Sequence, residues 1–250
     1  AILTADHSAF NSDYHRHSLL DAFGPLLKLI PDMKLGHLPA QMSQKCSTLP
    51  LGTHMALGQI NPPKAKPTIL WSHRWEYDKN PALFVDCLCQ LDELGEDFDL
   101  MILGETFRKK PPEYARLQER LGHRLVHIGF IEKHEDYLAS LAKADLVFST
   151  AIHEFFGLST LEAIRHGLYP VLPNDLAYPE LLALDRCSEH GKLFLYERED
   201  GPLELMSLAL SRIREGQELP ARQQLLESTE RFYWPSLVKK YDDLFEELLA

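Results

Sequence analysis

The stretch "DLVFSTAIHEFFGLSTLEAIRHG", residues 145–167, reads as strand, loop and helix in direct succession. "DLVFST" is apolar without a polar residue at every second position, the pattern of a strand buried on both faces. The strand ends at Ser149 and Thr150, and a helix begins near Leu158. Gly157 at the junction lets backbone N–H groups approach an anion, where a helix N-terminus contributes roughly half a positive charge. Glu154 falls in the loop and Glu162 in the second turn of the helix, so both can face one mouth. Such a pair leaves several readings open: a general acid and base, a metal site, two acceptors for ligand hydroxyls, or a capped helix with a solvated glutamate. The metal reading is weak, because no His or Asp stands at ligand spacing and adjacent His153 and Glu154 cannot easily share an ion.

Outward from this stretch, apolar runs alternate with amphipathic ones. "TILWS" (68–72) predicts a strand. Asn80 is an N-cap and Pro81 the first helical residue of a helix with Phe84, Leu88, Leu91 and Leu94 on one face, closed by Gly95. "DLMILG", "RLVHIGF" and "YPVLP" predict further strands, and "PPEYARLQERLG" and "HEDYLASLAKA" further helices. The fold class expected is α/β: a Rossmann-like parallel sheet with helices on both faces, its ligand loops at the carboxyl ends of the strands. The final third reads as helical. Residues 53–67 have the Pro, Gly and Lys content of a linker. Four segments are therefore expected: 1–52 as the tail of a preceding domain, 53–67 as a linker, 68–228 as a ligand-binding Rossmann-like domain, and 229–250 as a terminal helix.

"WSHRWEYDKNP" places Arg74 and Lys79 in the loop after the first strand of this domain. A parallel sheet brings that loop to the edge that carries Glu154. Two cations there can neutralise a diphosphate without a metal and stabilise the charge on a departing nucleoside diphosphate; two ordinary surface cations are the plain alternative.

Bulk composition narrows the class. The formal charge of −11 over 250 residues argues against wholesale nucleic-acid binding by this chain, since phosphate contacts need clustered Lys and Arg. No apolar run is long enough for a transmembrane helix, and the first residues do not read as a signal peptide. With no initiator Met, the chain is expected to begin inside a longer protein. Cys46, Cys87, Cys89 and Cys187 form no CxxC pair and are expected as reduced thiols in a cytoplasmic protein. No GxGxxG follows any strand, which sets aside a dinucleotide-dependent dehydrogenase.

"HEFFGLSTLE" resembles the E-x7-E signature of retaining glycosyltransferases with the GT-B fold. "VHIGFIEKHEDYLASLAKADLVFSTAIHEFFG" is similar to the same group in its order of elements, and "FYWPSLVKKYDDLFEELL" resembles the terminal helix that crosses back onto the N-terminal domain. "ILWSHRWEYDKNP", "LGETF", "STAIHEFFG" and "YPVLPNDLAYPE", with "FNS" near residue 10 and "KLIPD" at 28–32, resemble more narrowly the tRNA-queuosine alpha-mannosyltransferase group. The resemblance covers the chain to about residue 182 and is looser beyond. It implies that Glu154 touches the donor sugar and that the backbone of Phe155, Phe156, Gly157 and Leu158 lies along sugar and phosphate. Glu162 would hold the ribose hydroxyls, and Arg74 and Lys79 the diphosphate. Gly129 and Phe130 would edge the nucleobase, and Gly104 would open the loop beneath it. The implied donor is GDP-mannose and the implied acceptor the cyclopentenediol of queuosine in tRNA, with retention of configuration and no metal or other cofactor. The implied acceptor domain, with a glycine-rich loop and a catalytic histidine, would precede residue 1. His7, His15 and His17 match no motif of it and are expected as ordinary polar residues. A related transferase with another acceptor, and a non-catalytic nucleotide-binding module, stay as alternatives.

Overall fold

The computed structural model describes residues 2–29, 35–105, 110–184, 189–217 and 219–249. Cys187, and the ends of the "KLIPD" and "LGETF" stretches, lie outside them. Two compact units form: residues 1–54 with 231–250, and residues 55–230.

In the smaller unit β1 (Ser8–Phe10) leads into α1 (Asp13–Lys28), then α2 (Leu38–Gln44) and β2 (Cys46–Thr48). The two strands pair in parallel. Ser12 caps α1 by accepting from the His15 amide at 3.0 Å, as a short hydroxyl at this position should. The C-terminal helix, Trp234–Leu249, belongs to this unit, where Tyr241 donates to the Pro50 carbonyl at 2.9 Å. His7 lies 2.8 Å from the Ser47 hydroxyl and His15 2.9 Å from the Asn11 side chain, both local polar contacts.

The larger unit runs β3 (Thr68–Trp71), α3 (Pro81–Glu93), β4 (Asp99–Ile102), α4 (Pro112–Leu121), β5 (Leu125–Ile128), α5 (His134–Leu141), β6 (Leu146–Phe148), α6 (Leu158–Arg165), β7 (Tyr169–Pro173), α7 (Tyr178–Leu182), α8 (Gly191–Phe194), β8 (Leu195–Tyr196), α9 (Leu203–Glu215) and α10 (Leu219–Ser228); the C-terminal helix is α11. The six strands are parallel in the order β5-β4-β3-β6-β7-β8. Counted from β3, this is the 3-2-1-4-5-6 order of doubly wound nucleotide-binding sheets. The α/β expectation therefore holds, and the predicted strands and helices of the region form with slightly shorter ends. Asn80 caps α3 as read, its side chain accepting from the Leu83 amide at 3.3 Å.

The core follows from the uninterrupted apolar runs. Ile69, Leu70, Trp71, Leu100, Ile102, Leu146 and Phe148 are all fully excluded from water, each large side chain contributing about 1.5–3 kcal/mol by burial. Asp145, at the foot of β6, is buried too, and its carboxylate accepts from the Thr68 amide at 2.7 Å and from Lys64 at 3.1 Å. Residues 55–67, linker-like in composition, are held along the larger unit: the Gly58 amide donates to the Arg165 carbonyl at 2.7 Å, and Asn61 donates to the carbonyls of Ala142 and Ala144. Arg165 is completely buried, donating to the carbonyls of Met55 and Thr229 at 2.9 and 2.7 Å. Cys46, Cys87 and Cys89 are free and buried. Burial pushes the Cys87 thiol up to about 12, so this thiol is unreactive packing. Among the described residues no helix is long and apolar enough to cross a membrane.

The order of the sheet reverses between β3 and β6. Ligands of doubly wound sheets bind at the loops leaving the two strands on either side of such a reversal.

Candidate active site

The loop after β3 is anchored before it is charged. Trp71 stacks on Phe84 with ring centroids 4.5 Å apart, and Trp75 packs edge-on against Trp71 at 4.9 Å and Tyr114 at 5.1 Å. Buried Trp75 thus pins the loop midway, with Arg74 and Lys79 on either side of it. The Ser72 carbonyl accepts from the Ser159 hydroxyl at 3.1 Å, tying the loop to the first turn of α6. Gly104, just past β4, lies so close to the same loop that a Cβ would stand 1.9 Å from the His73 carbonyl oxygen. Its role in this structure is to let two strand exits pass.

The loop after β6 is bound to this one. Asp78 accepts at its carbonyl from the amides of Ile152 and His153, at 2.8 and 3.3 Å. Lys79, only 12% exposed, donates to the His153 carbonyl at 2.9 Å and pairs with Glu154 at 3.3 Å and Asp78 at 3.2 Å. The other Glu154 oxygen accepts from the Phe155 and Phe156 amides at 3.1 and 3.4 Å. Gly157 then starts α6 at φ +88°, a left-handed conformation that favours glycine; a Cβ would lie 3.4 Å from the Tyr178 ring and 3.6 Å from Glu154. Phe156 is buried, whereas Phe155 and Leu158 stay exposed.

The sequence-expected residues therefore divide. Lys79, Glu154, Phe155, Phe156 and Gly157 form one cluster. Arg74 stands on the same loop, 54% exposed, and its ion pair is with Glu76 at 3.1 Å. Glu162 lies on α6, half-buried, and accepts from the Tyr137 hydroxyl at 3.0 Å; burial raises its pKa, against the lowering effects of Tyr137 and His134. Gly129 is held at the exit of β5 by its amide on the Ile102 carbonyl at 3.0 Å, with Phe130 exposed beside it. Among the described residues no three His, Cys, Asp or Glu side chains gather as a metal site would require.

Several participants escaped the reading of the sequence. Buried His73 lies 3.0 Å from the Ser149 hydroxyl, which lies 2.6 Å from the Tyr178 hydroxyl. Tyr196 donates to the Ser149 carbonyl at 3.0 Å. This relay joins the two site loops to α7. Burial, helped by the nearby Lys79 charge, lowers the His73 pKa to about 3, so the ring stays neutral. Only the position of His73 beside Arg74 hinted at its place; Tyr137 and Tyr178 carried no local signal.

Chemically, the cluster offers a carboxylate and an ammonium group beside the start of α6, with a second cation, Arg74, on the same loop as Lys79 and a second carboxylate, Glu162, on α6. That set suits a polyhydroxylated ligand with an anionic group.

The chain is similar to several known proteins. Residues 1–53 match the profile described as tRNA-queuosine alpha-mannosyltransferase N-terminal. The chain is 42% identical over 190 residues to the tRNA-queuosine alpha-mannosyltransferase of Drosophila melanogaster, covering 72% of this chain and 50% of that protein. It is 33% identical over 125 residues to a GDP-mannose-dependent alpha-(1-6)-phosphatidylinositol dimannoside mannosyltransferase of Mycobacterium tuberculosis, covering 48% of this chain and 32% of the relative. The chain thus spans half or less of the length of these relatives. Among solved structures, sucrose-phosphate synthase from Thermosynechococcus elongatus superposes with a TM-score of 0.73 at 17% identity, covering 100% of this chain and 60% of that one. The catalytic domain of starch synthase IV from Arabidopsis thaliana gives 0.72 at 15% identity, covering 99% and 56%. These likenesses show the GT-B fold. Residues 57–191 match the profile of the glycosyl transferases group 1, and on that match, over more than half its length, the chain belongs to this family.

Proposed function

We propose that the chain is the donor-binding half of a retaining hexosyltransferase that moves mannose from GDP-mannose to queuosine in tRNA, in the cytoplasm. The observation that carries this reading is the cluster of Lys79, Glu154 and the Phe155 and Phe156 amides at the switch point of the sheet. Arg74 and Lys79 neutralise the diphosphate in place of a metal ion and hold it as it departs. Glu154 accepts from sugar hydroxyls, and these bonds tighten as the sugar gains oxocarbenium character. Glu162 takes the ribose. The similarity to a relative named a tRNA-queuosine alpha-mannosyltransferase and to another named GDP-mannose-dependent supports the donor and acceptor. With a net charge of −11, this half leaves most of the contact with tRNA phosphates to the rest of the protein.

The test has two parts. Thermal unfolding of the chain with GDP-mannose, UDP-glucose and ADP-glucose should show stabilisation by GDP-mannose, about 2.7 kcal/mol at one hundred times Kd. In the full-length protein, Glu154→Ala should lower kcat on queuosine-containing tRNA by about a hundredfold, comparable to removing one transition-state hydrogen-bond group. No response to any nucleotide sugar would refute donor binding. Unchanged kcat would refute the role of Glu154.

A further inference from the structure

We propose that Tyr137 is a positioning residue of the donor site, holding one oxygen of Glu162 so that the other is presented to the ribose and the site discriminates ribose from deoxyribose. The inference rests on the reading above that Glu162 faces the ribose.

Two observations carry it. Tyr137 projects from α5 and donates to Glu162 Oε2 at 3.0 Å. Among the described residues Glu162 Oε1 has no protein partner. A half-buried carboxylate that accepted from ligand hydroxyls alone would be free to rotate and inclined to take up a proton. A phenol on one oxygen fixes its plane and favours the ionised acceptor. The phenol oxygen, donating to Glu162, keeps its lone pairs for a second hydroxyl. A vicinal diol meets both acceptors, and a deoxyribose meets one fewer.

The titratable groups that act on the Glu162 carboxylate are Tyr137 and His134, both on α5. Loss of the Tyr137 hydroxyl removes a lowering influence on Glu162, so the carboxylate should protonate at a higher pH.

The experiment is calorimetric titration of the chain and its Tyr137→Phe variant with GDP and 2′-deoxy-GDP, at pH 7.5 and then in steps to pH 5. The chain should prefer GDP by about tenfold, the worth of a hydrogen bond to a charged group. Tyr137→Phe should weaken GDP about tenfold on the same ground, leave 2′-deoxy-GDP nearly unchanged, and move the acid loss of GDP affinity to higher pH. The titration of the nucleotide phosphate cancels between the two proteins. If the chain discriminates and the variant keeps both the ratio and the pH limb, the role of Tyr137 is refuted while the donor reading stands. A lowered Tm with an unchanged ratio refutes it equally, as a merely structural effect. Failure of the unsubstituted chain to bind GDP overturns the donor reading and this inference together. Should Tyr137→Phe not fold, Tyr137→Leu removes the same hydroxyl with a smaller side chain and must reduce the ratio in the same direction, or the inference fails.

Discussion

Replacing His73 by glutamine should change how stability responds to acid more than stability itself. In the folded chain burial holds the imidazole pKa near about 3, against an ordinary value of 6.5. A folded pKa below the unfolded one means that the unfolded chain binds a proton which the folded chain refuses. The stability is fully present above pH 6.5 and is lost as pH falls. By linkage, His73 alone should cost about 1 kcal/mol at pH 5.5 and about 3 kcal/mol at pH 4.5, relative to neutral pH. Glutamine does not titrate, and its amide can still donate to the Ser149 hydroxyl that lies 3.0 Å from the His73 ring. His73→Gln should therefore be less stable by about 1 kcal/mol at pH 7.5 through imperfect packing and bonding. The two proteins should become equal between pH 6 and pH 5, and the variant should be the more stable below. Urea unfolding at pH 7.5, 6.5, 5.5 and 4.5, read as the difference between the two proteins, cancels the carboxylates they share. Parallel stabilities across that range would show that His73 protonates freely in the folded state, and the neutral buried relay would be wrong.

Two further outcomes bear on the frame of the site. Arg165→Met should destabilise the chain by about 3 kcal/mol or more, because it removes a fully buried cation that donates to the Met55 and Thr229 carbonyls; chemical denaturation measures this, and a loss under 1 kcal/mol would contradict it. Gly157→Ala should cost about 1 kcal/mol for the left-handed backbone at φ +88° and, on the proposed reading, weaken nucleotide binding as that junction relaxes. Calorimetric unfolding and GDP titration separate the two effects, and unchanged affinity would place the junction away from the ligand.

What was legible in the sequence follows from where the information lies. "TILW" and "YPVLP" are read from composition alone, because a strand covered on both faces has no polar positions to mislead. Asn80-Pro81 states a helix start within two residues. Glu154 and Lys79 were legible together only through the inferred parallel sheet, since 75 residues separate them, and they do meet. Arg74 was legible as a loop cation, but its pairing with Glu76 was not. The relay of His73, Ser149 and Tyr178 joins three elements whose neighbourhood depends on strand order, and no periodicity encodes that order. The same holds for Tyr137 on Glu162. The two-residue strand β8 and the short helices before it give too few positions for any pattern, and residues 55–67 look like a linker because Pro and Gly suit a segment that lies flat along a domain as well as one that hangs free.

The uneven state of the two cations implies how a donor would engage them on the proposed reading. Arg74 is exposed and joined to Glu76 by a surface pair, worth at most about 1 kcal/mol, so a phosphate draws it away at little cost. Lys79 is enclosed and divided among Asp78, Glu154 and the His153 carbonyl. A diphosphate is the stronger partner for an ammonium group, and as Lys79 turns to it Glu154 Oε2 is released. Glu154 Oε1 keeps the Phe155 and Phe156 amides, so the carboxylate does not swing away. Neutralising the phosphates and freeing an acceptor for the sugar hydroxyls thus become a single exchange at Lys79. Without a diphosphate Lys79 stays on Oε2, and a free sugar finds that acceptor only partly open. A site with Lys79 far from Glu154 would have no such coupling, which is why their 3.3 Å contact carries more of the functional argument than either residue's identity.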